Sequence, residues 1–125
     1  MSVVGIGVDV VDIERFTRAL ERTPALKNRL FSDQEQDTRQ LADHSWAARF
    51  AAKEATLKAL GGHIAGFTWH DIAIGGQHLQ PPTLELSGGT HDAAHARGVT
   101  LSHVSLSHDA GVAMAFVVLE KGAPA

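Results

Sequence analysis

The segment Arg49-Phe50-Ala51-Ala52-Lys53-Glu54-Ala55-Thr56-Leu57-Lys58-Ala59-Leu60-Gly61 constrains this chain more than any other. It reads as a helix from about Ser45 to Leu60, with Gly61 as its C-terminal stop. Two charge pairs at i,i+4 interrupt its alanine-rich surface: Arg49 with Lys53, and Glu54 with Lys58. A carboxylate beside a lysine, with further cations on a second stripe, is what a metal–phosphate site requires. An ordinary surface salt bridge has the same spacing, since Glu four residues before Lys is the favoured orientation. The helix alone does not separate the two readings.

Two other segments bear on the choice. Val4-Gly5-Ile6-Gly7-Val8-Asp9-Val10-Val11-Asp12 is apolar and β-branched, so it predicts a buried strand. Asp9 interrupts it, and a buried carboxylate is costly without a partner. Asp12, directly before Ile13, is the better placed of the two to cap the following helix. That leaves Asp9 needing a partner, and a divalent cation fits the need. Near the C-terminus, Leu101 to Leu106 predict a strand, with His108 at a turn before Gly111 and a returning strand over Val112–Glu120. His103 and His108 would face opposite sides of a regular strand and are not expected to share a metal.

Together these motifs resemble the holo-acyl-carrier-protein synthase family, a branch of the phosphopantetheinyl transferases. The family's opening Gly-Ile-Gly-x-Asp strand is matched by Gly5 to Asp9, and its Arg-Phe-Ala-Ala-Lys-Glu-Ala-x-x-Lys-Ala helix by Arg49 to Ala59. Its His-Val-Ser-x-(Ser/Thr)-His hairpin is matched by His103 to His108, and its final hydrophobic strand closes on Glu120. Order and approximate spacing agree over nearly the whole chain.

The resemblance implies transfer of the phosphopantetheine arm of coenzyme A to a serine of an apo acyl carrier protein, in support of fatty acid biosynthesis. Adenosine bisphosphate leaves. It implies Mg²⁺ held by Asp9 and Glu54, with Glu54 or a metal-held water as general base. Lys58 is expected to contact a diphosphate oxygen, and His108 a phosphate oxygen. Arg49 and Lys53 are candidates for other phosphates of coenzyme A, Arg49 the better because its fork matches phosphate. For Lys53 a solvated surface position is an equal alternative. Members of the family usually form homotrimers with active sites between subunits.

The chain departs from the family pattern in three places. Arg39 stands alone where many members have a basic pair, Gly61-Gly62-His63 replaces Gly-Thr-Gly, and Gln80-Pro81-Pro82 replaces Gly-Lys-Pro.

The first helix, over about 12–22, separates two faces. Ile13, Phe16 and Leu20 form an apolar stripe. Arg15, Arg18 and Arg22 lie opposite, either as a solvated face balanced by Glu14 and Glu21 or as a docking stripe for an acidic carrier helix. The resemblance favours docking for Arg15.

At 125 residues the chain is expected to form one domain, residues 1–125, with a core of its own. It contains no cysteine, which excludes a disulfide scaffold or a thiolate metal site. A net charge of −3 gives no indication of general nucleic-acid affinity. The N-terminal run meets Asp9 too early for a signal peptide, and no apolar run is long enough to span a bilayer. These features predict a cytoplasmic protein.

Further elements are a short helix opened by the capping box Ser32-Asp33-Gln34-Glu35 and strands near 71–74 and 83–86. A helix near His91–Arg97 follows, stopped by Gly98. His91 and His95 have a zinc-compatible spacing but no evident third ligand. Trp46 and Trp69 read as packing anchors. The fold expected is α+β, a mainly antiparallel sheet packed against the long central helix.

Overall fold

The computed structural model describes residues 2–37, 41–76 and 80–122; Arg39 lies outside them. Its organising contact is between strand β1 (Ser2–Asp12) and helix α4 (Asp43–Ala59). A Cβ built on Gly5 would stand 1.9 Å from the carbonyl oxygen of Ala59, and one on Gly7 1.8 Å from that of Ala55. Glycine at both positions therefore lets the two backbones meet without an intervening side chain. The helix answers with its smallest residues: Ala51, Ala52 and Ala55 are fully buried.

Strand β5 (Val112–Lys121) lies at the centre of a three-stranded antiparallel sheet, between β1 and β4 (Leu101–Asp109). Its alternation is that of a sheet with one covered face. Ala113, Ala115, Val117 and Leu119 point at the helix layer and are fully buried, whereas Met114 and Phe116 are exposed. Register pairs Asp9 with Ala115 and Leu106 with Ala115, placing these residues on the helix-covered face. A second antiparallel pair, β2 (Ile72–Gly75) with β3 (Thr83–Leu86), follows a 3₁₀ turn at Trp69–Asp71. The result is the expected α+β arrangement.

Local signals set most element ends. The Asp12 carboxylate accepts from the Arg15 N–H at 2.9 Å, capping α1 (Ile13–Arg22). Ser32 and Glu35 form the reciprocal capping box of α3 (Asp33–Asp37), at 3.2 and 3.0 Å. Helix α4 ends in a Schellman motif. The Gly62 N–H bonds the Leu57 carbonyl, the Gly61 N–H bonds the Lys58 carbonyl, and Gly61 has φ +96°.

Three boundaries differ from expectation. Helix α2 (Ala25–Leu30) follows Pro24; with six residues and no side-chain cap it is too short to declare itself by periodicity. Helix α5 (Gly88–Ala96) begins before His91. Strand β4 runs through His108, which pairs with Ala113 rather than standing in a turn. The turn itself is Ala110-Gly111, with φ +50° and +81°, the left-handed signature of a two-residue type I′ hairpin.

Candidate active site

Asp9 and Glu54 meet where β1 crosses α4. Glycines at positions 5 and 7 draw the strand onto the helix, and Asp9 follows them on the same face, 9% exposed. Its carboxylate accepts from Lys58 Nζ at 2.8 Å; the same ammonium donates to the Val8 carbonyl at 3.2 Å. Lys58 thus pairs across the fold with Asp9, not along its helix with Glu54, which corrects the i,i+4 reading. The bond to Asp9 raises the Lys58 pKa, so the lysine stays charged.

Glu54 lies beside this pair. Desolvation first, then a side-chain hydrogen bond and charge repulsion from Asp9, push its carboxyl up to about 7; Lys58 opposes the shift. Two carboxyls at one point, one held near neutrality, form a site short of positive charge. Their hard oxygens suit Mg²⁺, which commonly takes one or two carboxylates and completes its shell with water and substrate phosphates. Among the described residues no third His, Asp or Glu joins them.

This electrostatic frustration has a consequence for the metal-free protein. The folded Glu54 carboxyl holds its proton up to about pH 7, against an ordinary value of 4.5. The associated stability is fully present below pH 4.5 and is lost as pH rises through 7. Metal-free protein is expected to show a falling contribution from this group across that window, and the Glu54→Gln protein is not. Thermal melts of both proteins between pH 5 and 8 provide the check; parallel pH profiles would contradict the shared-proton pair.

A cleft of about 510 Å³ opens beside the carboxylates. Phe16, Leu26, Phe50 and Trp69 contribute its apolar wall, and Arg15 and Arg29 its basic positions. Phe50 stacks on Phe16 at 5.0 Å and meets Trp69 at 5.3 Å between ring centroids. Arg29 was not singled out from sequence because helix α2, which carries it, was not legible. Arg15, Arg18 and Arg22 are all exposed, as expected. Arg18, however, is bound by Glu14 and lines a separate concavity with Glu14 and Glu21.

Lys53 is corrected outright. It is completely buried, donating to Glu35 Oε1 at 2.7 Å and to the Trp69 carbonyl at 3.0 Å. It is neither a phosphate contact nor a solvated lysine. Burial lowers its pKa, and Glu35 opposes that effect. Glu35 also accepts from the Ile74 N–H at 3.3 Å, so the capping-box glutamate ties α3, α4 and β2 together. Nothing local distinguishes such a glutamate from one that only caps.

Arg49 donates to the Ile74 carbonyl at 2.6 Å and to the Gly76 carbonyl at 3.4 Å. Desolvation lowers its pKa. These bonds leave three of the five guanidinium N–H groups for other partners.

His108 stands apart from the Asp9 cluster. Strand β5 separates its strand from β1, a separation of about 10 Å at ordinary strand spacing. Its ring stacks instead on His44 of α4, with 3.8 Å between centroids and 23° between planes. His103, on the opposite sheet face, bonds Glu120 at 2.7 Å. His91 and His95 are exposed on α5. Trp46 is buried against Phe31, whereas Trp69 is partly open to the cleft.

Comparison with known proteins places the chain. A family model described as the 4'-phosphopantetheinyl transferase superfamily matches residues 5–117. A holo-[acyl-carrier-protein] synthase of Leifsonia xyli is 54% identical over 119 residues, covering 95% of this chain and 98% of that protein. One from Clavibacter michiganensis is 52% identical over 120 residues, covering 96% and 98%. Among solved structures, the Neisseria meningitidis holo-[acyl-carrier-protein] synthase superposes with a TM-score of 0.84 at 30% identity, covering 96% of this chain and all of that one. The Helicobacter pylori synthase in complex with coenzyme A gives 0.79 at 32% identity, covering 92% and 99%.

Proposed function

This chain belongs to the 4'-phosphopantetheinyl transferase superfamily, and from that membership we infer that it is a holo-[acyl-carrier-protein] synthase, moving 4'-phosphopantetheine from coenzyme A to a serine of apo acyl carrier protein. The observation that carries this reading is the convergence of Asp9, Glu54 and Lys58 at one end of a partly apolar cleft.

The serine oxygen attacks the phosphorus bearing the pantetheine arm. A new P–O bond forms, the bond to the adenosine-side phosphate breaks, and adenosine 3',5'-bisphosphate departs. The serine proton passes to Glu54, the carboxyl that desolvation and Asp9 already push up in the metal-free protein. Lys58, held charged, offsets charge on the diphosphate. Asp9 orients Lys58, and with Glu54 it would hold Mg²⁺. That ion would supply charge neutralisation at the phosphates when bound. Arg49, through its remaining donors, is assigned to a further phosphate of coenzyme A.

Arg15 and Arg29 beside an apolar wall suit a carrier helix that is acidic with exposed apolar residues. Arg15 is the principal docking residue on this reading; Arg22 extends the stripe, and Arg18 contributes less because Glu14 holds it. Arg15→Glu is expected to raise KM for the carrier about tenfold or more, with KM for coenzyme A little changed. Equal effects on both constants would rule out selective docking.

The outer face of the three-stranded sheet supports self-association. Ile6, Val8, Val10, Met114 and Phe116 form an apolar surface there, each between 41% and 56% exposed. Large contiguous patches of this kind mark interfaces. In its own chain β5 stands between His108 and the Asp9–Glu54 site, so a neighbouring copy in the assembly is the source of His108 on this reading. We assign a homotrimer, with His108 contacting a phosphate across the interface. Phe116→Asp should dissociate it in sedimentation and lower turnover; a wild-type monomer with full activity would refute the assembly.

Cytoplasmic location and a role in fatty acid biosynthesis complete the reading, with residues 1–125 acting as a single transferase domain. Among the described residues no helix is long and apolar enough to cross a membrane. The direct assay combines purified protein, coenzyme A, Mg²⁺ and apo carrier, followed by intact mass spectrometry of the carrier. A gain of one phosphopantetheine, abolished by chelation, is expected. Coenzyme A binding with no gain on any carrier would point to a non-catalytic relative. Release of pantetheine phosphate to water would point to a hydrolase.

A further inference from the structure

We propose that His44 is a positioning residue for His108, holding its imidazole by ring stacking so that both ring nitrogens remain open to a phosphate. The inference rests on the phosphate role assigned to His108 above and adds a residue that sequence reasoning did not single out.

A histidine that must present one nitrogen to a ligand is ordinarily aligned by a hydrogen bond to the other. His108 has no such bond: among the described residues none engages either of its ring nitrogens. It is also exposed, on an edge strand, where an imidazole would otherwise sample several rotamers. What restrains it is the face of the His44 ring, 3.8 Å away and tilted by 23°. Face-to-face contact of this kind restrains the plane of a ring while leaving its edge, and therefore its nitrogens, unoccupied.

The support is rigid. His44 lies in the first turn of α4, the helix whose later turns carry Glu54 and Lys58. Two turns on, that helix is locked by its fully buried Ala51 and Ala52 and by the buried Lys53–Glu35 pair. His108 is thereby referenced to the same element as the catalytic cluster. In a symmetric assembly, that element would set where each chain presents His108 to its neighbour.

The test uses full-length protein with His44→Ala, His44→Phe and His108→Ala. The carbon-bound ring protons of His108, assigned by their disappearance in His108→Ala, should be shifted by the His44 ring current in wild type. They should move towards random-coil positions in His44→Ala, while His44→Phe keeps a shift because it retains a ring face. KM for coenzyme A should rise about three- to tenfold in His44→Ala, the size expected from loss of one aromatic contact. KM for the carrier should not follow, and His44→Phe should recover most of the loss.

Resonances unmoved by His44→Ala would overturn the stack. Moved resonances with an unchanged KM for coenzyme A would overturn the positioning role, as would a His44→Phe protein that keeps the shift but not the affinity. If His108→Ala itself leaves KM for coenzyme A unchanged, the phosphate role of His108 falls, and the positioning role with it. The resonance shift would still report whether the stack exists.

Discussion

Glu54→Gln should lower transfer of phosphopantetheine by at least about a hundredfold, the usual scale for losing a positioned base, without unfolding the protein. Glutamine keeps the volume of glutamate, and its amide can donate to the Asp9 carboxylate. It replaces the proton that the two carboxyls otherwise share. The charge repulsion and desolvation that push Glu54 up to about 7 disappear with the charge. Melting temperature at pH 8 should therefore equal or exceed that of wild type, while turnover collapses. Rates come from intact-mass time courses with apo carrier, and stability from parallel melts. Turnover within a few-fold of wild type would remove Glu54 from the chemistry. A large fall in melting temperature would mean that its role is structural.

Gly7→Ala should be the most damaging single-methyl change in the chain. The added carbon would lie 1.8 Å from the Ala55 carbonyl oxygen, 2.7 Å from its carbon and 3.0 Å from the Ala59 nitrogen. All three are backbone atoms of one helix, so no side-chain rotation relieves the clash, and α4 must lift from the sheet. Overpacking ordinarily costs about 1–3 kcal/mol, and a contact that moves a whole helix should reach the top of that range or pass it. Against a total stability of about 5–15 kcal/mol, the loss should be plain in a urea unfolding curve. Lifting α4 would also separate Glu54 and Lys58 from Asp9, so activity should fall in whatever fraction remains folded. A midpoint close to wild type would show that the close approach is not required.

How much of this was legible beforehand depended on the range of the interaction. Asp12, the Ser32–Glu35 box and the Gly61 stop act within one helical turn, and each performs the expected job. The two faces of β1 and β5 were not separable in this way: both runs are apolar throughout, and β1 reads as a buried strand, yet only one face is covered by the helix while Ile6, Val8 and Val10 stay exposed. The motif order that carried the family resemblance is a property of the chain read in one dimension, and the matched family model agrees with it.

Partner choice among long side chains was a different matter. Helical spacing offered Lys58 to Glu54, but the fold brings Asp9 within 2.8 Å from a strand 49 residues away in sequence. It offered Lys53 to solvent or to phosphate, yet Glu35 claims it from 18 residues away in the dry interior. Likewise, the stack of His108 on His44 and the cleft between α1, α2 and α4 exist only once the helices are docked. Periodicity states which face of an element is apolar. It carries no information about which distant element will cover that face, and desolvation and pairing of buried charge depend on that cover.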